Sequence, residues 1–508
     1  MSQAQRLVLV LILVAYLALG ALFAVQTPAW QAPDEPAHYN YVRYLAENGA
    51  FPVLHMGDYP HAYLEEIKAA GFPPDLPITP IRYESHQPPL YYALAAPVYS
   101  LTGGSLLALR LFSVALGAGI VLLAFGIARR ALPGRPAAAL GAAAFVAFLP
   151  QHLATASQVG NDVLAELLLA AVLFYLTGRV TAGSVSSAAG LLRRPIFLGI
   201  LLGLILITKT TAYIALPLAA GALAWCWAQE RAPLRRIVAE GLAALAPAAL
   251  VALPWYARNL YVYGWPDFLG LIRHDQIVIG QTRTAQFIAE NGPATYWRRA
   301  IEWTFKSFVG VFGWMGVWLD TRVYYFLGLW LGVPLAASAA ALGLRGRRGA
   351  RHARQPRTAG RAAAPDTPTR PNAAAVLLAA SALLTLLTYI YYNLTFLQHQ
   401  GRYLFTALIP IAVFLAAWWE RALTPTVARA LVVIALAWAA VMAAWGLGIG
   451  ALPATGAPKW PLALTFALAV GLATASALPL RWRRWAYVLP FALLPGVALY
   501  ALFAAIAP

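Results

Sequence analysis

The chain of 508 residues is 61% hydrophobic and only 11% charged. Soluble globular proteins carry about 25% charged residues, so the composition excludes that class and points to a polytopic membrane protein. A single cysteine, Cys226, excludes an intrachain disulfide and any cysteine-based metal cluster. The net charge of +18 is read as positive loops on the cytoplasmic side of a membrane, not as a nucleic-acid surface.

Apolar length and the placement of Arg and Lys predict about 13 membrane helices, at about 7–26, 105–128, 137–156, 162–178, 196–208, 212–228, 238–256, 322–344, 373–392, 402–420, 428–449, 460–480 and 486–506. The first follows Arg6, is long, and shows no clear small-residue cleavage site, so it reads as an uncleaved helix. With the N-terminus inside, 23 of the 37 basic residues fall on the cytoplasmic side and 14 of the 19 acids on the other. The expected location is therefore a cell inner or plasma membrane, multi-pass, with the C-terminus outside.

Two outer segments are too long for plain connectors. Residues 26–104 hold eight of the acids, and periodicity predicts short interfacial helices over 35–48 and 61–70. Residues 86–103, "HQPPLYYALAAPVYSLTG", read as a juxtamembrane helix with Pro88 and Pro89 in its first turn. The second segment, 257–321, carries Trp265, Trp297, Trp303, Trp314 and Trp318, which suit either sugar stacking or interfacial anchoring. The Arg-, Pro- and Ala-rich stretch 345–371 reads as a basic, disordered cytoplasmic linker between a catalytic module over 1–344 and further helices over 372–508.

The polar residues near the outer face are few. Asp34 and Glu35 follow the first helix, Asp162 and Glu166 open the fourth, Lys209 interrupts "LILITKTTAYIALPL", Arg258 ends the seventh and Arg402 opens the tenth. Ionisable groups at membrane depth are functional candidates. Each also has a structural reading. Asp34, Glu35 and Asp162 suit helix starts, Lys209 can snorkel, and Arg258 and Arg402 can anchor lipid phosphates. His38, His55, His61 and His86 match no compact ligand spacing, so no metal or other cofactor is assigned. The sequon at 393–395 is too short a pattern to use. If the charged residues converge, a carboxylate can serve as general base while Lys or Arg holds a lipid phosphate as it leaves.

In this order and on this side, the residues resemble the C-type (GT-C) glycosyltransferases of the bacterial aminoarabinose-transferase and protein O-mannosyltransferase kind. The resemblance rests on the acidic pair Asp34–Glu35, Gln87-Pro88-Pro89-Leu90, Arg110 to Gly117, Asp162, and Thr208–Lys209. It is good over residues 1–260 and weak beyond, where "QGRYLF" at 400–405 suits a phosphate contact. It implies an all-α GT-C fold with juxtamembrane helices in the first outer loop and a polyprenyl-phosphate sugar donor. It further implies a glycan, lipid or protein acceptor and an inverting displacement at the extracytoplasmic face. Asp34 would be the base, with Glu35 and Asp162 positioning substrates. Lys209, Arg402, Arg258 and His86 would face the phosphate, and His38, Gln87, Tyr91 and Glu166 the substrates. The sequence departs from the family at Gln87, where a Lys is expected. Rival readings are a transporter or flippase for lipid-linked saccharides, a glycan ligase or polymerase, and a non-enzymatic relative.

Overall fold

The computed structural model describes residues 1–181, 188–354, 372–447 and 459–506. The first helix, α1 (Gln3–Gln26), opens on a capping box in which Ser2 and Gln5 satisfy each other's backbone donors. Its Leu7, Val10, Leu11 and Val14 remain exposed, as suits a helix whose outer face meets lipid tails as apolar as leucine. The first long connection then forms α2 (Glu35–Asn48), α3 (His61–Ala69), a 3-10 turn at Tyr83–His86 and α4 (Leu90–Leu101). Both expected interfacial helices are present. Pro88 and Pro89 precede α4 instead of entering its first turn, since Pro89 is the capping residue.

The centre of the molecule is α5 (Leu106–Ala131), which packs on α1, on α6 (Pro136–Phe148) and, past the short α7 (Pro150–Ala156), on α8 (Asp162–Thr181). Leu109, Ile120, Val121, Ala124 and Ile127 of α5 are fully buried there. Then follow α9 (Ala188–Leu206), α10 (Ala215–Glu230) and α11 (Leu234–Tyr263). Helices α9 and α11 touch almost backbone to backbone: a Cβ on Gly199 would collide with the Ala244 carbonyl, and one on Gly203 would lie 2.8 Å from Val251. Small residues permit such close approach where lipid supplies no drive to pack.

The second long connection holds α12 (Leu271–Ile277), α13 (Thr284–Asn291), α14 (Pro293–Val309) and a hairpin of β1 (Val311–Phe312) and β2 (Val317–Trp318). It is the only sheet among the described residues. The remaining helices are α15 (Thr321–Arg354), α16 (Ala373–Thr395), α17 (Leu408–Ala422) after a 3-10 stretch at Gly401–Ala407, α18 (Pro425–Leu447), α19 (Trp460–Ala477), α20 (Leu480–Ala492) and α21 (Leu494–Ala501).

Among the described residues, eleven helices are long and apolar enough to cross a membrane, or twelve if the α6–α7 pair is one span. Two of the about 13 expected spans differ from this set. The span at 137–156 is bent by 62°, because Pro150 offers no N–H and holds Leu149 extended at φ −65°, ψ 118°. The span at 196–208 falls on α9, which is helical but is not among the eleven. Of the expected linker 345–371, the first ten residues continue α15 to Arg354, and 355–371 lie outside the described residues.

Candidate active site

A cavity of about 820 Å³ lies where the two long connections meet the starts of α8 and of the 3-10 helix Thr210–Ile214, the end of α16 and the segment Gln398–Tyr403. Asp34, His38, His86, Gln87, Asp162, Lys209 and Arg402 all line it. Seven candidates drawn from five separate stretches of sequence are thus brought to one space.

Asp34 sits at the N-terminus of α2 in the left-handed region, φ 68°, and its side chain makes no capping bond. Aspartate tolerates that backbone better than most residues. The carboxylate turns away from the helix instead. Its Oδ1 accepts from the Tyr83 hydroxyl at 2.8 Å and its Oδ2 from an Arg402 guanidinium nitrogen at 2.6 Å. Burial pushes the carboxyl up, but Arg402 above all, then His38 and the two hydrogen bonds, pull it down to about 2. Asp34 thus stands at a helix start, as its sequence context suggests, but its carboxylate faces the cavity and makes no capping bond. Tyr83 is raised well above the ordinary tyrosine value, first by burial and then by Asp34, so it stays a neutral donor.

A second ion pair faces the same space. Lys209 Nζ lies 2.8 Å from Asp162 Oδ1. Lys209 is extended (φ −163°, ψ 136°) at the break between α9 and the 3-10 helix, and Asp162 is the first residue of α8. Asn161 holds the two breaks together: its Nδ2 donates to the Thr208 carbonyl and to Gln87 Oε1, both at 3.2 Å.

Four expected site residues serve elsewhere. Glu35 is fully buried and grips Arg110 with both oxygens, at 2.8 and 2.6 Å, while Oε1 also accepts from the Val159 amide at 3.1 Å. Arg110 spends its other donors on the carbonyls of Ala24, Thr27 and Pro28. Glu35 is thus the tie between α2, the end of α1 and α5, not a group in the cavity. Tyr91 is buried, hydrogen-bonded to Ser113 at 2.8 Å and accepting from the Gly160 amide at 3.2 Å. It steadies the turn before Asp162 without reaching the cavity. Glu166, one turn deeper than Asp162, contacts His152 Nε2 of α7 at 3.2 Å and does not line the cavity. Arg258 donates to the carbonyls of Phe51 and Pro52 and stacks over Trp255, so it fastens the first connection to α11.

His86 does line the cavity, yet it is ill suited to phosphate. Its Nδ1 lies 3.1 Å from the Tyr83 carbonyl, which can only accept, so Nδ1 carries the proton and Nε2 the lone pair. Burial, then the neighbouring His274 ring at 4.4 Å, hold it well below the ordinary histidine value and so uncharged. His38 is lowered too, first by burial, and its Nδ1 meets the Tyr92 hydroxyl at 2.8 Å. Among the described residues no group of three or more His, Cys, Asp or Glu is placed to hold a metal ion.

The cavity also uses residues that the sequence reading passed over: Tyr83, Glu84, His274, Gln281, Gln398 and Gln400. The first two stand in the polar run "YESHQPP", and the last two in "LQHQGRY", beside residues already singled out. His274 and Gln281 carry no local signal. Of the five tryptophans considered, Trp314 alone lines the cavity. Trp303 and Trp318 pack edge to face with centroids 5.0 Å apart.

The architecture defines a class. It is an all-helical, multi-pass membrane protein with the GT-C glycosyltransferase fold. A family model described as dolichyl-phosphate-mannose-protein mannosyltransferase matches residues 86–256. The chain is similar to ArnT from Cupriavidus metallidurans in the apo state, with 14% identity and a TM-score of 0.51 over 98% of this chain and 77% of that one. The same protein bound to undecaprenyl phosphate gives 14% and 0.50, over 98% and 76%. The Archaeoglobus fulgidus oligosaccharyltransferase tethered with an acceptor peptide containing the NVT sequon gives 13% and 0.50, over 97% of this chain and 55% of that one. At these identities the likeness is one of fold. No curated protein matches the sequence.

Proposed function

We propose that the protein is a glycosyltransferase that moves a sugar from a polyprenyl-phosphate donor to a glycan, lipid or protein acceptor at the extracytoplasmic membrane face. The observation that carries this is the convergence of two Asp–cation pairs, Asp34–Arg402 and Asp162–Lys209, on one cavity. The sorting of arginines predicts which face that is.

In this reading the sugar donor's phosphate engages Lys209 and Arg402, the latter in the forked geometry that suits phosphate. Arg402 is drawn from Asp34, which frees one carboxylate oxygen and removes the charge that holds it acidic. Asp34 then takes the proton of the acceptor hydroxyl or amide. The acceptor atom bonds to the anomeric carbon from the side opposite the phosphate, the bond from that carbon to the phosphate oxygen breaks, and polyprenyl phosphate leaves. Configuration at the anomeric carbon inverts. Asp162, released from Lys209, positions acceptor or sugar.

The test is transfer of label from radioactive polyprenyl-phosphate sugars into a membrane extract by purified protein. Asp34→Asn is expected to lose at least about a hundredfold in rate, the worth of a general base, with sugar-donor binding retained. Equal transfer by both proteins removes Asp34 from the mechanism.

A further inference from the structure

Three side-chain amides run in series along the cavity wall, starting from the cation that holds Asp34. Arg402 Nε donates to Gln400 Oε1 at 2.8 Å, Gln400 Nε2 to Gln398 Oε1 at 2.6 Å, and Gln398 Nε2 to Gln281 Oε1 at 3.4 Å. All three glutamines line the cavity. They come from two distant stretches, one on each side of α13, α14 and the hairpin.

A glutamine amide carries two N–H donors and an oxygen with two lone pairs. Each inner link of the row uses one donor and one lone pair. Gln400 and Gln398 therefore each keep one N–H and one lone pair for something else. A sugar hydroxyl likewise both donates and accepts, so vicinal hydroxyls match successive amides in a way that a hydrocarbon surface or a single charged group does not. The row is also electrically neutral. Charges stand elsewhere in the wall, among them Glu84, whose buried Oε2 has no hydrogen-bond partner among the described residues. Arg299, a cation elsewhere in the wall, has its guanidinium over the Trp303 ring at 3.7 Å. Trp314, held at the hairpin tip by a bond from Nε1 to the Trp30 carbonyl at 3.0 Å, adds an apolar face to the same space.

We propose that the Gln281–Gln398–Gln400 row is the recognition wall for the hydroxyls of the transferred sugar. The proposal rests on the glycosyltransferase reading above. Because the row begins at Arg402, it fixes direction as well. The anomeric carbon lies at the Asp34–Arg402 end, and the hydroxyls remote from it lie along Gln398 and Gln281.

Equilibrium binding to the purified full chain tests this without relying on turnover. Two ligands are compared: a short polyprenyl-phosphate hexose and the polyprenyl-phosphate methyl ester, which has the same phosphodiester charge and no sugar. The hexose conjugate is expected to bind about tenfold more tightly than the methyl ester, the worth of one or two net hydrogen bonds. Gln398→Leu and Gln281→Leu should each bring the hexose conjugate towards the methyl ester, with the methyl ester itself unchanged. Hexose and methyl ester bound equally by the wild type overturns the recognition wall while the phosphate site stands. A preference for hexose that survives both substitutions also overturns it. Failure of the wild type to bind either ligand overturns the glycosyltransferase reading instead.

Discussion

Each carboxylate oxygen of Asp34 has a partner, Tyr83 for one and Arg402 for the other. An unperturbed aspartate titrates near about 3.9, and this one is lowered to about 2. A group lowered on folding contributes stability that is complete above its unfolded value and is lost as pH falls through its folded value. Thermal melting of wild type and Asp34→Asn should therefore differ at pH 6 and converge between about pH 4 and about pH 2. A gap that persists at the acid end would mean that the carboxylate charge is not its source. The residue scale also shows what the sequence could convey. Adjacent helical positions point about 100° apart, so neighbouring acids such as Asp34 and Glu35 are expected to meet different partners. That Glu35's neighbour would be Arg110, and that Arg402 would arrive from 368 positions away to meet Asp34, depends on packing that no local pattern encodes.

At the scale of elements, the Glu35–Arg110 pair ties the first residue of α2 to its neighbours. It joins the end of α1 to α5 and leaves Asp34 as the next residue outward. Breaking a buried pair by removing one partner costs about 3–5 kcal/mol. Glu35→Ala should lower the melting temperature sharply, while Glu35→Met with Arg110→Leu should recover much of the loss. Each surviving folded molecule should still transfer sugar if the pair is structural; loss of turnover at full stability would return Glu35 to the reaction. The bend between α6 and α7 makes a similar point. Pro150 stood in plain view, but the apolar residues around it read as one continuous span. Its effect is local in cause and distant in result: it creates α7, whose Gln151 accepts the Val311 amide at 2.7 Å and whose His152 meets Glu166. Glu166 and Arg258 misled for a related reason. A charged group near a membrane face declares that it has a partner, not whether that partner is a ligand or a neighbouring carbonyl.

For the whole molecule, apolar length and arginine placement were enough to anticipate a helical multi-pass chain with two structured connections. The expectation about which face is outside has its own test. On a Cys226→Ala background, Trp265→Cys and Tyr261→Cys place a thiol at positions 85% and 92% exposed in the second connection. Both should react with a membrane-impermeant thiol reagent on intact cells. Arg235→Cys, exposed at the start of α11, should react only after permeabilisation. The opposite pattern would invert the topology and move the cavity to the cytoplasm.

Lys209 and Arg402, the two cations proposed to hold the phosphate, each have a carboxylate of their own, and in the proposed reaction this shapes turnover. The sugar donor is a phosphodiester with one negative charge, whereas the spent carrier is a monoester of about −1.5 to −2 at pH 7. Two bare cations would hold the spent carrier more tightly than the incoming one and stall the enzyme on its own product. Asp162 and Asp34, by reclaiming Lys209 and Arg402, compete with the leaving lipid and help to expel it. Asp162→Asn should accordingly be inhibited by lower concentrations of added polyprenyl phosphate than the wild type, in steady-state assays with a saturating sugar donor. Unchanged product inhibition would show that the carrier leaves without that competition.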